Sequence, residues 1–209
     1  CNTMDNFQEL IHFLERFSRQ KETIFLGIGN EGVIELLGFT HHVTNFDTEL
    51  CFLPVSLRSF AQSLSFVDQI LSEKNLMTVM EIEEVPQSIL FDHTLADQQK
   101  TGKMVDLLTL IRCGIVCDYP FLQSLYVNFP TSEALLQQSF SAFSERLINY
   151  YQTNSQQLND FGKTFEKAFF QTENGSLLSN SMKTMFGLLF ELAWNVSASN
   201  LHFNFKNFM

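Results

Sequence analysis

The residues whose spacing best suits chemistry are three glycines. Gly27-Ile28-Gly29-Asn30-Glu31-Gly32 reads G-x-G-x-x-G at the end of an apolar run, residues 23–28, rich enough in β-formers to be a strand. In a dinucleotide-binding unit such glycines let the backbone approach a pyrophosphate, and an acid about twenty residues further on bonds a ribose hydroxyl. Asp47 stands at that spacing. Three features weigh against a cofactor. The stretch 33–39 is short for a first helix before Gly38, the expected alternation of further strands and helices does not follow, and the neighbouring acids suit a pyrophosphate poorly. The preferred reading is a β-hairpin, 23–28 paired with 33–37 across a Gly/Asn turn. A nucleotide- or dinucleotide-binding enzyme using Gly27, Gly29, Gly32 and Asp47 is the alternative, and a helix without a ligand is a third.

The remaining reactive types are scattered. His41 and His42, followed by Asp47, Glu49 and Cys51, are of metal-ligating kinds. Adjacent histidines on extended chain point to opposite faces, so these read as loop residues between strands. Cys113 and Cys117 share a face if their apolar segment is helical, and read as buried free thiols, since no ligand partners lie nearby in sequence. With Cys1 and Cys51 they form no dense disulfide framework, which fits a reducing compartment. Asn174-Gly-Ser and Asn195-Val-Ser match a glycosylation tripeptide that arises often by chance. No Gly-x-Ser-x-Gly elbow, Walker loop, paired-histidine motif or C-x-x-C is present.

The elements that would position these groups follow from periodicity. Residues 5–19 form an amphipathic helix with Phe7, Leu10, Ile11, Leu14 and Phe17 on its stripe, and Phe13 off it suggests burial on a second side. Residues 49–53 read as a strand stopped by Pro54. Ser56 caps a helix whose stripe runs from Leu57 to Leu71. Residues 76–85 alternate as a strand, 89–91 hold a short one, and 104–116 form an apolar helix. From Pro130 to Trp194 three successive helices carry a Phe-rich stripe. The polar run 152–157 interrupts the first, and Asn174-Gly175 ends the second. The fold class expected is α+β and predominantly helical. A helix with short antiparallel strands comes first, and an antiparallel helical bundle follows. The acidic α/β region is taken as 4–100 and the Phe-rich helical region as 101–209, packed as one globular unit.

The chain has 209 residues, 45% of them hydrophobic, enough for a self-sufficient core. No apolar run reaches the roughly 18 residues a membrane helix needs. Cys1-Asn2-Thr3 precedes Met4 without a signal-peptide pattern, so Met4 reads as the natural start and the compartment as cytoplasmic. The charge is segregated: residues 22–99 hold twelve Asp/Glu and two Lys/Arg, which accounts for the whole net charge of −10. A surface so negative repels nucleic-acid backbones and anionic lipid, and attracts a basic protein segment.

In element order and acidic character the first ninety or so residues resemble the small chaperones that bacterial type III secretion systems use for their effectors. In size and character the chain is similar to adaptor subunits of the Legionella-type IVB coupling complex. That resemblance implies a non-enzymatic cytoplasmic adaptor or chaperone without metal or cofactor. It would bind a basic or amphipathic protein segment through Glu81, Glu83 and Glu84, and through the aromatic tail at Phe203 and Phe205. A structural subunit of a larger complex is a further alternative.

Overall fold

A computed structural model describes residues 2–17, 23–44, 47–74, 77–98, 102–131, 133–134 and 137–199. Helix α1 spans Met4–Leu14, shorter than its stripe suggests. Phe13 and Phe17 lie beyond or off its packed face and are half exposed, so the expected second buried side is absent. Strand β1 (Thr23–Gly29) leads through Asn30 into helix α2 (Glu31–Val43), and strand β2 (Thr48–Pro54) follows.

The expected hairpin is therefore a strand–helix–strand unit. Residues 33–37 are helical because Ile34, Gly38 and Phe39 are buried at helical spacing. Gly38, which looked like a stop, is where α2 lies against Asp68. A Cβ there would sit 2.0 Å from Asp68 Oδ2. With a helix as connector, β1 and β2 pair in parallel, from Thr23 opposite Thr48 to Gly29 opposite Pro54. A short strand β5 (Ser88–Ile89) adds in parallel to the other side of β2. The antiparallel arrangement expected for the N-terminal strands is thus corrected for this three-stranded sheet.

Helix α3 (Leu57–Ser65) starts with a capping box in which Ser56 and Ser59 satisfy each other's backbone N–H groups. It stops at Phe66, whose φ of 57° is left-handed. Gln62 donates to the Val67 carbonyl at 2.7 Å and secures the turn. The end of the expected long helix is instead strand β3 (Val67–Leu71), with Asp68 and Ile70 buried at period two. It forms an antiparallel pair with β4 (Thr78–Glu83). The N-terminal segment closes on it: the Leu71 amide donates to the Asn2 carbonyl at 2.8 Å.

Next come the short α4 (His93–Asp97), α5 (Lys103–Val116) and α6 (Tyr119–Asn128). Leu135 and Leu136, expected to begin the stripe, lie outside the described residues. The stripe resumes as a 3-10 turn, Phe140–Phe143, and helix α7 (Ser144–Asp160). The polar run interrupts α7 as expected: Asn154 is non-helical (φ −138°, ψ 27°). Helices α8 (Lys163–Gln171) and α9 (Asn180–Ser199) complete the described chain, which is α+β and mostly helical. No described helix is long and apolar enough to cross a membrane.

Two cores result. Leu50 and Phe52 of β2 pack with Phe25 and Ile34 between the sheet and α2. The larger core gathers Leu57 and Phe60 of α3 with Leu110, Cys113, Phe121 and Leu147 of the later helices. One sheet face stays open at β1, an edge strand among the described residues: Ile24, Leu26 and Ile28 are 61%, 51% and 55% exposed. Parallel sheets are ordinarily covered on both faces.

Candidate functional site

The parallel register puts Gly29, the start of α2 and the residues after Pro54 at one edge of the sheet. This is the carboxyl edge, where ligands bind in open parallel folds. A cleft of about 480 Å³ opens there, bounded by α2, α3, α5, α8 and α9. Glu31, Gly32 and Glu35 reach it from α2, Arg58 from α3, Arg112 from α5, Lys163 and Glu166 from α8 and Thr184 from α9.

Each group is placed by a local device. In α2 the Val33 and Ile34 amides bond to the Asn30 carbonyl, which leaves the first-turn amides of Glu31 and Gly32 to face outward. Gly27 and Gly29 let the helix sit close on its strand: a Cβ at Gly27 would meet Leu37 at 2.9 Å, and one at Gly29 would meet Val33 at 2.8 Å. Arg58 sits in the first turn of α3. Its amide donates to Asp106 Oδ1 of α5 at 2.9 Å, and its Nε pairs with Glu31 Oε1 at 2.6 Å. Asp106 is thus a cap supplied by another helix, and burial pushes its carboxyl up to about 6 against the pull of the Arg58 amide. Alanine at Asp106 is expected to cost about 1–2 kcal/mol in thermal unfolding, the range for a lost cap, with asparagine recovering part of it.

Helices α8 and α9 meet where both carry glycine. Gly162 has φ 84°, and a Cβ on Gly187 would lie 2.5 Å from the Gly162 carbonyl oxygen. This close approach brings Glu166 to Thr184, whose hydroxyl donates to Oε1 at 2.9 Å. Lys163 Nζ stands 4.0 Å from Glu166 Oε2. The Arg112 Nε and Glu166 Oε2 are buried without hydrogen-bond partners among the described residues. On the opposite wall Asn2 donates to Glu35 Oε2 at 2.6 Å.

Burial pushes Glu35 up to about 8, with Lys163 opposing. Burial likewise holds the Lys163 amine below its ordinary value, with Glu166 opposing. A carboxyl displaced upward and an amine displaced downward lie closer in proton affinity than they would on a surface, which eases proton exchange between a ligand and its site. Arg58, Arg112 and Lys163 with the positive end of α2 favour an anionic ligand.

Of the residues singled out in sequence, Gly27, Gly29 and Gly32 stand at the strand–helix junction, and Gly32 lines the cleft. Asp47 lies just before β2, at the far end of the sheet and about 20 Å from Gly29 by strand rise. The histidine pair is not in a loop: both occupy the last turn of α2. Each ring bonds Glu84, His41 at 2.9 Å and His42 at 2.7 Å, so that carboxylate ties α2 to the end of β4. Glu81 is exposed and accepts the Gln69 amide at 2.9 Å, and Glu83 is exposed. Phe203 and Phe205 lie outside the described residues. The motif reading missed Glu35, Arg58, Arg112, Lys163 and Glu166. Their signal was charge inside otherwise apolar helices, most visible for Asp106 and Arg112 within 104–116.

Three solved structures are similar in fold. The 2-epi-5-epi-valiolone synthase of Streptomyces hygroscopicus subsp. jinggangensis, solved with NAD+ and Zn2+, matches with a TM-score of 0.73 and 13% identity over 90% of this chain and 56% of its own. Over the matched span the fold is that of this enzyme. A 2-deoxy-scyllo-inosose synthase complexed with carbaglucose-6-phosphate, NAD+ and Co2+ gives 0.58 at 11% identity, over 90% of this chain and 54% of that one. Maleylacetate reductase from Agrobacterium tumefaciens gives 0.52 at 11% identity, over 88% and 54%. The chain therefore spans little more than half the length of these proteins. No protein-family model and no curated protein matches it by sequence.

These matches overturn the adaptor expectation. The solved structures named above, which share the chain's fold, are enzymes and not secretion chaperones or coupling adaptors. The resemblance rested on acidity and element order, which different topologies can have in common. The expected non-enzymatic chaperone role is corrected with it.

Proposed function

We propose that the chain is a nucleotide- or dinucleotide-binding protein of enzyme type, with its ligand in the cleft at the carboxyl edge of β1 and β2. The observation that carries this reading is the opening of α2, directly after β1 and Gly29, onto a cleft that also presents Arg58, Arg112 and Lys163. These donors fit a phosphate-bearing group. The outward amides of Glu31 and Gly32 and the Arg112 guanidinium would hold it, as helix N-termini and arginines hold phosphates elsewhere. Two of the matched enzymes carry NAD+. A bound nicotinamide would supply hydride transfer. The chain's own contribution is to hold the anionic part and to place Glu35, a carboxyl displaced upward, and Lys163, an amine displaced downward. Asp47 takes no part, because it stands at the other end of the sheet.

The same enzymes carry Zn2+ or Co2+. The donor set here does not fit such an ion: among the described residues no three His, Cys, Asp or Glu side chains stand close enough to hold a metal. The cleft sets guanidinium and ammonium groups among its carboxylates, and these repel a cation.

Calorimetric titration with NAD+, NADH, NADP+, ATP and S-adenosylmethionine tests the reading. At least one phosphate-bearing ligand is expected to bind. Arg112→Ala is expected to weaken it about tenfold, or about 1.4 kcal/mol. Silence from every nucleotide would refute the proposal.

A further inference from the structure

One amine in the cleft differs from the lysines of the surface. Lys163 opens α8 straight after the left-handed Gly162, so its side chain projects into the cleft and is 39% exposed there. Glu166, one turn on, is itself only 9% exposed. Thr184 anchors one of its oxygens, and the other, without a hydrogen-bond partner among the described residues, is the one nearest the Lys163 Nζ. A carboxylate fixed in this way is poised to take a proton from that amine and return it. Facing elements complete the surroundings: Glu35 on α2, Arg58 on α3 and Arg112 on α5 all act on the amine. Burial lowers its proton affinity, so the neutral nucleophilic form is more accessible than on a surface lysine.

We infer that Lys163 forms an imine with the carbonyl carbon of an anionic aldehyde or ketone, with Glu166 as its proton partner and Arg112 holding the anionic substituent. This rests on the cleft being a ligand site, as proposed above. The ammonium of Lys163 gives a proton to Glu166, and the freed lone pair attacks the carbonyl carbon to form a C–N bond. The carbonyl oxygen takes up protons and leaves as water as the C=N bond forms. Two of the three ammonium protons depart with that water, one of them by way of Glu166, and the third stays on the imine nitrogen. Glu166 ends as it began, and no oxidant or reductant is required.

The test uses pyridoxal 5′-phosphate, an aldehyde carrying a phosphate, with the full chain. Borohydride then reduces any imine to a stable amine, and peptide mapping locates it. Lys163 is expected to be labelled about tenfold faster than exposed Lys74, because its neutral amine is more accessible and the cleft holds the phosphate beside it. Inorganic pyrophosphate is expected to suppress labelling at Lys163 and not at Lys74. Glu166→Gln is expected to slow labelling at Lys163 alone, with an unchanged unfolding transition as the check on its fold. Equal labelling of both lysines overturns the inference. Nucleotide binding without preferential Lys163 labelling overturns the imine and leaves the cleft reading standing. Preferential labelling without nucleotide binding supports the imine and overturns the nucleotide reading. Neither response refutes both.

Discussion

Gly38→Ala is expected to destabilise the chain by about 1–3 kcal/mol, the usual cost of forcing extra volume into a packed site. The added methyl would lie 2.0 Å from Asp68 Oδ2 and 2.6 Å from its Cγ, far inside contact distance. Neither side has room to yield easily. Gly38 is buried in mid-helix, and Asp68 is 3% exposed on β3 between α2 and the neighbouring strand. A double-mutant cycle separates this clash from helix propensity, which on its own favours alanine by about 1 kcal/mol. With Asp68→Ala in the background the carboxyl is gone, and Gly38→Ala should become neutral or stabilising. Equal cost in both backgrounds would mean that α2 does not rest on Asp68. The two residues should couple by at least about 1 kcal/mol, since they are in direct contact.

The second large effect is on pH dependence. Burial pushes the Asp68 carboxyl from its ordinary 3.8 up to about 8, and Glu35 and Glu84 add to it. Between those values the folded chain keeps a proton that the unfolded chain has released. The resulting stability is complete below pH 3.8, declines through the interval, and is gone above about 8. The slope is about 1.4 kcal/mol per pH unit for a single group. The melting temperature is therefore expected to fall between pH 5 and pH 8.5. Asp68→Asn, which cannot ionise, should flatten that fall and melt above the parent chain at pH 8.5. Glu35, displaced in the same direction, leaves a residual slope in the variant. Parallel melting curves for parent and variant across this range would show that Asp68 does not titrate on unfolding.

What the sequence disclosed and what it hid follow from the range of the forces involved. The strand at 23–29, the helix at 103–116, the alternating β4 and the break in α7 all depend on neighbours a few residues away, and they were readable. Helix α2 was not, because Gly38 is a local helix breaker that only a distant residue, Asp68, requires. Strand β3 was absorbed into a helical stripe because Val67, Ile70 and Leu71 suit both periods. The capping of the turn at Phe66, which decides the matter, uses side chains and a left-handed backbone. The parallel register of β1 and β2 has no local signature at all, and it is what removes Asp47 from the glycine motif. The cleft draws its charged groups from α2, α3, α5 and α8, so no window of sequence contains it. The acidic segment was visible, yet the role of Glu84 depends on two histidines forty residues away.

The open face of β1 has a bearing on how the protein behaves as a colloid. Thr23–Gly29 contains no charged residue, and its three outward aliphatic side chains meet water. Attraction between such faces is short-ranged and nearly independent of pH, whereas the repulsion that keeps copies apart comes from the net charge of −10 at pH 7. That repulsion vanishes near the isoelectric point of about 4.9. The acidic range in which Asp68 strengthens the fold is thus the range in which dispersion in solution is weakest. Solubility and conformational stability pull in opposite directions below neutrality, and a working buffer for this chain is a compromise between them.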